Sequence, residues 1–531
     1  MRKSLLSTAL LWGASTLAQA GGFLTNTNQC VAFLRNPARD AVMAIDGAYS
    51  NPAGVGFMSN GWHLGFDIQS AYQTRTAKSE FPLYPYGTVN GKPNGTSTWK
   101  EYKGKATAPV IPSLDLARVG NKWFATFHFG ITGGGGKCKF DDGIGMLEKL
   151  ISSKMVPAIQ AQPNMLQGYE FDMRAEGRQY YYGGQFGVGY KVLKNLALSV
   201  GGRVVYADCH YYGHVQNLGF KTPAGHLDLS ASQGTPIPAG AGGNVNYLTL
   251  DCNQSAWGFT PIIGIDYRVN DKLNLAAKYE FKTRLRLKNK AASSSMLGVQ
   301  VDDVLPQFAD GTKVAADIPA ILTLGAQYAP IKKLRLSAGF HYYFDKQATQ
   351  YESREEHLDG DGWEVLAGLE YDLNDKWTVS AGWQTTNYGL GDDSRFLRDL
   401  SFVTNSHSVG LGTAFRVSPK VRLNVAYFKT FYRHYRKNMA DYADLKTTFG
   451  KMLRPMGNEL ETAAGQLQAI ISNPNASEAD RIVAGQKLGI IQGELGALGA
   501  ITNGMAGYST AGFDNFHRTN DVFGIGVEIN F

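Results

Sequence analysis

Asn274, Lys278, Glu280, Lys282, Arg284 and Arg286 all fall on even positions of one short stretch, while Leu273, Leu275, Ala277, Tyr279, Phe281, Leu285 and Leu287 stand between them on odd ones. Residues two apart share one face of a strand. The cations Lys278, Arg284 and Arg286, turned into a narrow lumen, could hold a carboxylate through charge-assisted hydrogen bonds. The same row could build an internal salt-bridge network through Glu280, with Glu364, Glu370 and Asp372 on other stretches, and this is the reading favoured for most of the row. Arg203 is a second candidate cation. A hydrolytic site has less support. His341 and Asp345 share a face, but no Gly-x-Ser-x-Gly turn and no serine at triad spacing accompanies them, so the chain is read as not an enzyme. Four cysteines, Cys30, Cys138, Cys209 and Cys252, match no CxxC or Cys/His zinc spacing, and neither a metal nor another cofactor is expected.

The elements that must position these residues are strands. Trp62, Leu64, Phe66, Ile68 and Tyr72 alternate with His63, Asp67, Gln69 and Gln73, and at the other end Phe523, Ile525, Val527, Ile529 and Phe531 alternate with Gly524, Gly526, Glu528 and Asn530. No run of 18 apolar residues follows the N-terminal segment, which excludes helical membrane spans. That segment, 1–20, has Arg2 and Lys3, the apolar run Leu5 to Leu11 and Ala18-Gln19-Ala20, the pattern of a secretory signal peptide, and places the mature start near Gly21. A formal net charge of +7 over 531 residues implies no nucleic-acid partner.

Short polar turns at 120–122, 193–195, 270–272, 330–332, 374–376 and 418–420 join six hairpins; with a first strand at 62–75 and a last at 517–531 they make an all-β, 14-stranded antiparallel barrel. Much longer loops, near 76–104, 133–175, 216–254, 288–317, 346–359, 389–404 and 436–516, lie at the opposite ends. That asymmetry is the one a Gram-negative outer-membrane barrel shows between periplasm and exterior. Trp62, Trp123 and Trp377, each just after a turn, fit an interfacial girdle. Cys209 and Cys252 flank the third long loop and are expected to approach closely enough for a disulfide.

Such a barrel encloses a lumen too wide for its own side chains to fill. Residues 21–60, rich in Asn, Gly, Pro and Ala and twice carrying Asn-Pro-Ala (36–38 and 51–53), make neither a good helix nor a good strand, and are placed to plug it; 61–531 would form the barrel.

Gly22-Phe23-Leu24, the segment ending in Asn51-Pro52-Ala53-Gly54, the fourteen strands and the terminal Phe531 resemble the FadL family of outer-membrane long-chain fatty acid transporters, which also includes aromatic-hydrocarbon transporters. The likeness runs through APVIPSLDLARVGNKWFATFHFGITG (108–133), WGFTPIIGIDYRVNDKLNLAAKYEFKTRLRL (257–287) and DIPAILTLGAQYAPIKKLRLSAGFHYYF (317–344). The resemblance implies a monomeric channel for passive, ligand-gated uptake of hydrophobic molecules, with lipopolysaccharide and outer-membrane lipid around it. It implies plug movement and sideways exit through a kinked third strand, the motif Asn51, Pro52, Ala53, Gly54 lying beside that strand, and Phe23 reaching an internal pocket. Arg203, Lys278, Arg284 and Arg286 are the ligand-binding candidates within that pocket. No arginine lies in ADCHYYGH, the outer part of the fifth strand, where a carboxylate-binding residue would be sought. Aromatic hydrocarbons as substrate, or a surface adhesin without transport, are the alternatives.

Two loops carry helical spacing. Ile144, Leu147, Ile151 and Met155 would line an external apolar groove on a helix over 144–159, which Pro157 could end early. A second pattern crosses Ala476 to Leu498 in the long last loop, where a receptor or ligand cap is the sharper reading and a packed helix the blander one.

Overall fold

Alternating burial along each strand turns the sequence pattern into a closed wall. A computed structural model describes residues 23–228, 247–293, 295–296, 299–300, 306–391, 402–439, 445–506 and 510–531; the signal segment 1–20 lies outside them. The barrel strands are β1 (Gly61–Glu80), β2 (Trp99–Val119), β3 (Trp123–Phe140), β4 (Gly168–Leu193), β5 (Leu196–Thr222), β6 (Tyr247–Arg268), β7 in two pieces (Leu273–Glu280 and Arg286–Ser293), β8 (Ile321–Ile331), β9 (Leu334–Tyr343), β10 (Gly362–Asp372), β11 (Trp377–Asn387), β12 (Ser406–Ser418), β13 (Val421–Tyr432) and β14 (Gly512–Asn530). Each pairs antiparallel with its neighbour, and β1 pairs with β14 from His63↔Asn530 to Glu80↔Phe513, closing the sheet. Closure joins the first and last strands, which would otherwise be open edges of the sheet. All six expected turns lie at strand junctions, and Trp62, Trp123 and Trp377 are exposed on the outer wall.

The long-loop ends of the strands run further than the sequence pattern shows. β3 continues through Gly133–Gly136 to Phe140, because Gly134 (φ +80°) and Gly136 (φ +73°) take left-handed conformations that let the ladder to β4 slip twice without ending. β13 is prolonged by Tyr435–Met439, which pairs with β14.

Residues 23–60 fill the lumen, almost all of them buried, and include two short helices, α1 (Val31–Arg35) and α2 (Gly47–Ser50). In the loops, α3 (Gly145–Ala161) runs on past Pro157. The last loop folds as a pair of long helices, α4 (Leu445–Ser472) and α5 (Glu478–Ala506). Gly450, Pro455, Gly457 and Gly465 mask the helical pattern of α4 in the sequence.

Two expectations fail for reasons of register. β7 is interrupted after Glu280, and between the pairs Glu280↔Ile262 and Lys288↔Ser255 it carries one residue more than β6. One extra residue reverses the facing of everything beyond it. Thr283, Leu285 and Leu287 are therefore the buried side chains, while Arg284 and Arg286, expected inside, point outward. The disulfide fails likewise. Cys209 stands opposite Gln254 and Cys252 opposite Tyr211, a diagonal relation. Diagonal neighbours on paired strands lie about 7–8 Å apart, their Cβ atoms somewhat less, whereas a disulfide needs Cβ atoms about 4 Å apart. All four cysteines are buried free thiols. Alkylation of the denatured protein should therefore count four reactive thiols with or without prior reduction; two fewer in the unreduced sample would contradict the register.

Candidate functional site

Polar side chains on the inner wall meet the luminal segment at several places, and one is built around Tyr49. Its ring lies between Arg203 of β5 and Lys278 of β7, each cation 4.8 Å from the ring centroid. Both cations pair with Glu280, at 2.8 and 2.7 Å, and Lys278 Nζ donates to the Tyr49 carbonyl at 2.9 Å. Of the cations proposed from sequence, Lys278 of the row and Arg203 thus come together in a salt-bridge network that fastens the segment. Arg284 and Arg286 have no part in it.

The second place joins α1 and the chain after it to β9, β10 and β11. Glu370 takes Arg35 at 2.6 Å and Arg39 at 3.4 Å from the segment and Arg335 at 3.3 Å from the wall. Arg39 also pairs with Asp46 at 2.7 Å. His341 links Asp40 (3.0 Å) to Glu364 (2.9 Å), so this histidine acts as a structural bridge. The first Asn-Pro-Ala packs here: Gly368 and Gly382 leave room on the wall that Asn36 and Pro37 occupy.

The second Asn-Pro-Ala lies against β6. Asn51 Nδ2 donates to Asp266 Oδ2 at 2.6 Å, and Asn51 Oδ1 accepts from the Gly54 N–H at 3.2 Å. Pro52, Ala53 and Gly54 are buried beside it. Asn51 thus makes its wall contact on β6, away from the bend in β3 where the resemblance put it.

What meets that bend is a part of the segment that sequence reasoning missed. The β2–β3 ladder runs from Val119↔Phe124 to Leu114↔Phe129, then lapses until Ala106↔Cys138. Pro109 and Pro112 remove two donors from β2 in the lapse. The luminal segment takes over part of the pairing of β3: Asn26 N–H donates to the Thr132 carbonyl at 2.9 Å, while Asn26 Nδ2 and Gln29 Nε2 donate to the Ile131 carbonyl at 3.1 and 2.9 Å. Gln29 Oε1 in turn meets His128 Nε2 at 3.2 Å, and His128 Nδ1 meets Asp115 at 2.8 Å. Gly133 is needed because a Cβ there would run into the Leu24 carbonyl. Apolar groups border the lapse on both sides. Ile111, Ala108 and Ile131 pack with the α1 cluster of Val31 and Leu34, and Val110 is exposed on the outer wall. The prolines in β2 and the glycines in β3 were the signals for this lapse.

Phe23, above this, is buried among Ala77, Leu358, Tyr388, Phe402, Tyr432 and Phe516, its ring 5.3 Å from Tyr388. Two small cavities adjoin, of about 20 and 30 Å³; Phe23 and Leu24 line one, Tyr181 and Leu287 the other, and both reach Gln350 and Arg354. Such volumes hold a water or two. A hydrocarbon entering the first of them would have to displace resident side chains, Phe23 and Leu24 among them. The external candidates form no open groove: Ile151 and Met155 are buried with Phe81, Tyr84 and Tyr169, Ile144 with Phe140 and Cys138, and Leu147 packs between both groups. Glu148 fixes α3, accepting from Lys100 Nζ and the Tyr102 hydroxyl at 2.6 Å each.

Comparison with known proteins places this geometry. The model of the family described as "Outer membrane protein transport protein (OMPP1/FadL/TodX)" matches residues 184–454, just over half of the chain. Among solved structures, a Pseudomonas aeruginosa FadL homologue superposes with a TM-score of 0.56 at 14% identity, covering 98% of this chain and all of its own. The P. putida toluene transporter TodX follows with a TM-score of 0.50 at 12% identity, over 92% of this chain and 94% of its own. Both likenesses are of fold. Comparison with curated protein sequences finds no match.

The Phe23 cavity contains one group that titrates near neutrality. Burial pushes the Asp345 carboxyl up to about 8, with Asp361 and Glu364 adding to the shift and the Gly362 N–H, 3.2 Å away, opposing it. A carboxyl raised by folding favours the folded arrangement when neutral, so its contribution is full below the ordinary carboxyl range and declines as pH rises toward 8. Hydrogen exchange of 23–29 and 345–358, corrected for intrinsic rates, should lose protection progressively between about pH 5 and pH 8 in the wild type, level off above that, and stay level throughout in Asp345→Asn. The same loss in both proteins would show that another group governs the cavity.

Proposed function

The chain belongs to the OMPP1/FadL/TodX family of outer membrane transport proteins, and from that premise we propose that it is a passive channel that carries hydrophobic molecules inward and releases them sideways into the bilayer between β2 and β3. The observation that carries this reading is the lapse in the β2–β3 ladder, bordered by apolar side chains and bridged from inside by Asn26 and Gln29. A solute leaving there stays among apolar groups and avoids the water of the periplasm, a route that the hydrophobic effect favours. Phe23 and Leu24 act as an internal stopper that a ligand displaces. Displacement frees the chain down to Gln29, and with it the inner cover of the lapse.

Long-chain fatty acids are the first substrate class. Aromatic hydrocarbons are the second, favoured by one observation: Arg203 and Lys278 are already committed to Glu280 and Tyr49, so a carboxylate would have to break that network. The resident residues bind, shield and give way; no bond is made or broken.

Labelled oleate and toluene, offered to cells with and without the gene, test the proposal. Loss of the gene should lower uptake of at least one of them severalfold, and unchanged uptake of both would overturn it. Deleting 21–53 while keeping the signal should yield a barrel that still inserts but conducts ions in planar bilayers, because the fourteen strands keep all their partners in the wall. An electrically silent barrel would mean that the segment does not close the pore.

A further inference from the structure

The break in β7 turns a row of cations toward the surroundings of the barrel. Below it the outer face reads Leu275, Ala277, Tyr279 and Phe281; above it, Arg284, Arg286, Lys288 and Lys290, all exposed. From Leu273 to Phe281 the strand climbs roughly 20 Å, at about 3.4 Å per residue and about 40° of tilt. The apolar band of such barrels is about 25 Å tall, so the cations begin where acyl chains give way to headgroups. Trp257 of β6, 71% exposed, with its ring 4.7 Å from Tyr206, marks the same depth as an outer aromatic girdle.

Charges at this level on the neighbouring strands are paired within the wall, Arg178 with Asp208 at 3.0 Å and His210 with Asp251 at 2.9 Å. The β7 row differs. Arg286 pairs with Asp317, but among the described residues Arg284, Lys288 and Lys290 make no ion pair, nor does Lys313 on the short strand Lys313–Ala315 beside them. Lys288 and Lys313 stand directly opposite each other in the ladder, a like-charge pair that repels unless an anion lies between. Asn253 and Ser255, opposite Lys290 and Lys288 on β6, add polar groups to the same patch.

We propose that this patch, formed by Arg284, Arg286, Lys288, Lys290 and Lys313, binds the phosphate groups of lipopolysaccharide in the outer leaflet. Lipopolysaccharide fits on position as well as charge: its phosphates sit immediately above its acyl chains, where the cations lie relative to Phe281 and Trp257. Bound there, it bridges Lys288 to Lys313 and fixes the depth of the barrel.

The test uses the full chain purified in detergent and titrated with lipopolysaccharide carrying its lipid A phosphates, with the same material dephosphorylated, and with inorganic phosphate. Removing a cation near an anionic lipid surface weakens binding about fivefold, so the triple variant R284Q/K288Q/K290Q should bind phosphorylated lipopolysaccharide about a hundredfold less tightly. A control of equal charge change at the opposite turns, K194Q/K332Q/K376Q, should bind as the wild type does. Equal losses in the two variants, equal affinity of the wild type for phosphorylated and dephosphorylated material, or displacement by inorganic phosphate at matched concentration would each overturn the proposal. Heat-modifiable electrophoretic mobility reports folding. Should the triple variant fail to fold, Lys290→Gln alone must show the fivefold loss, and unchanged binding would overturn the site.

Discussion

Three charges that the luminal segment carries into the barrel, Arg35, Arg39 and Asp40, are each met by a side chain of the wall, Glu370 or His341, and the rest of the segment is placed around these contacts. Glu370 is the clearest case, an acid of β10 that holds Arg35 and Arg39 of the segment together with Arg335 of the wall. Separating segment from wall would take these partners from one another, and removing one partner of such a pair while the other stays buried typically costs about 3–5 kcal/mol. The position of the segment follows from this. Its ionic contacts, at Arg35, Arg39 and Asp40, lie on the side of β9, β10 and β11, whereas Asn51 is held to β6 and Tyr49 by β5 and β7.

The barrel itself was legible because a lipid-facing wall imposes a strict two-residue period, and because each short turn carries its own residue signature. Trp62, Trp123 and Trp377 fell where alternation put them. The upper ends of the strands were harder to read. Above the bilayer both faces can be polar or glycine-rich, as in Gly133–Gly136, and the period no longer separates strand from loop.

The plug was legible in composition but not in contacts. Asn51 and Asn36 belong to identical triplets, yet one bonds Asp266 on β6 and the other sits under Gly368 and Gly382, a difference that arises only from three-dimensional neighbours. Arg284 and Arg286 show the same limit more sharply. A period-two reading carries one face through a strand until something adds a residue, and the extra residue between Glu280 and Lys288 is counted against β6. Phe281 and Leu285, four apart on one nominal face with Thr283 between them, were the trace of that slip in the sequence itself.

The strength of fastening is graded along the luminal segment, and the gradient bears on which part can move. From Tyr49 back to Arg35 the contacts include buried ion pairs. From Gln29 to Phe23 they are neutral hydrogen bonds to β3 and apolar packing. A neutral hydrogen bond contributes about 1 kcal/mol net, and a buried Phe about 1.5–3 kcal/mol. A hydrophobic ligand that occupies the Phe23 cluster replaces the apolar part of that sum with its own burial, leaving only the few neutral bonds of Asn26 and Gln29 to break. It offers nothing in exchange for the ion pairs of Arg35 and Arg39. The physics therefore favours a hinge below Gln29, with the first few residues swinging clear of β3 while the ionic body of the segment stays in place and keeps the lumen occupied during release.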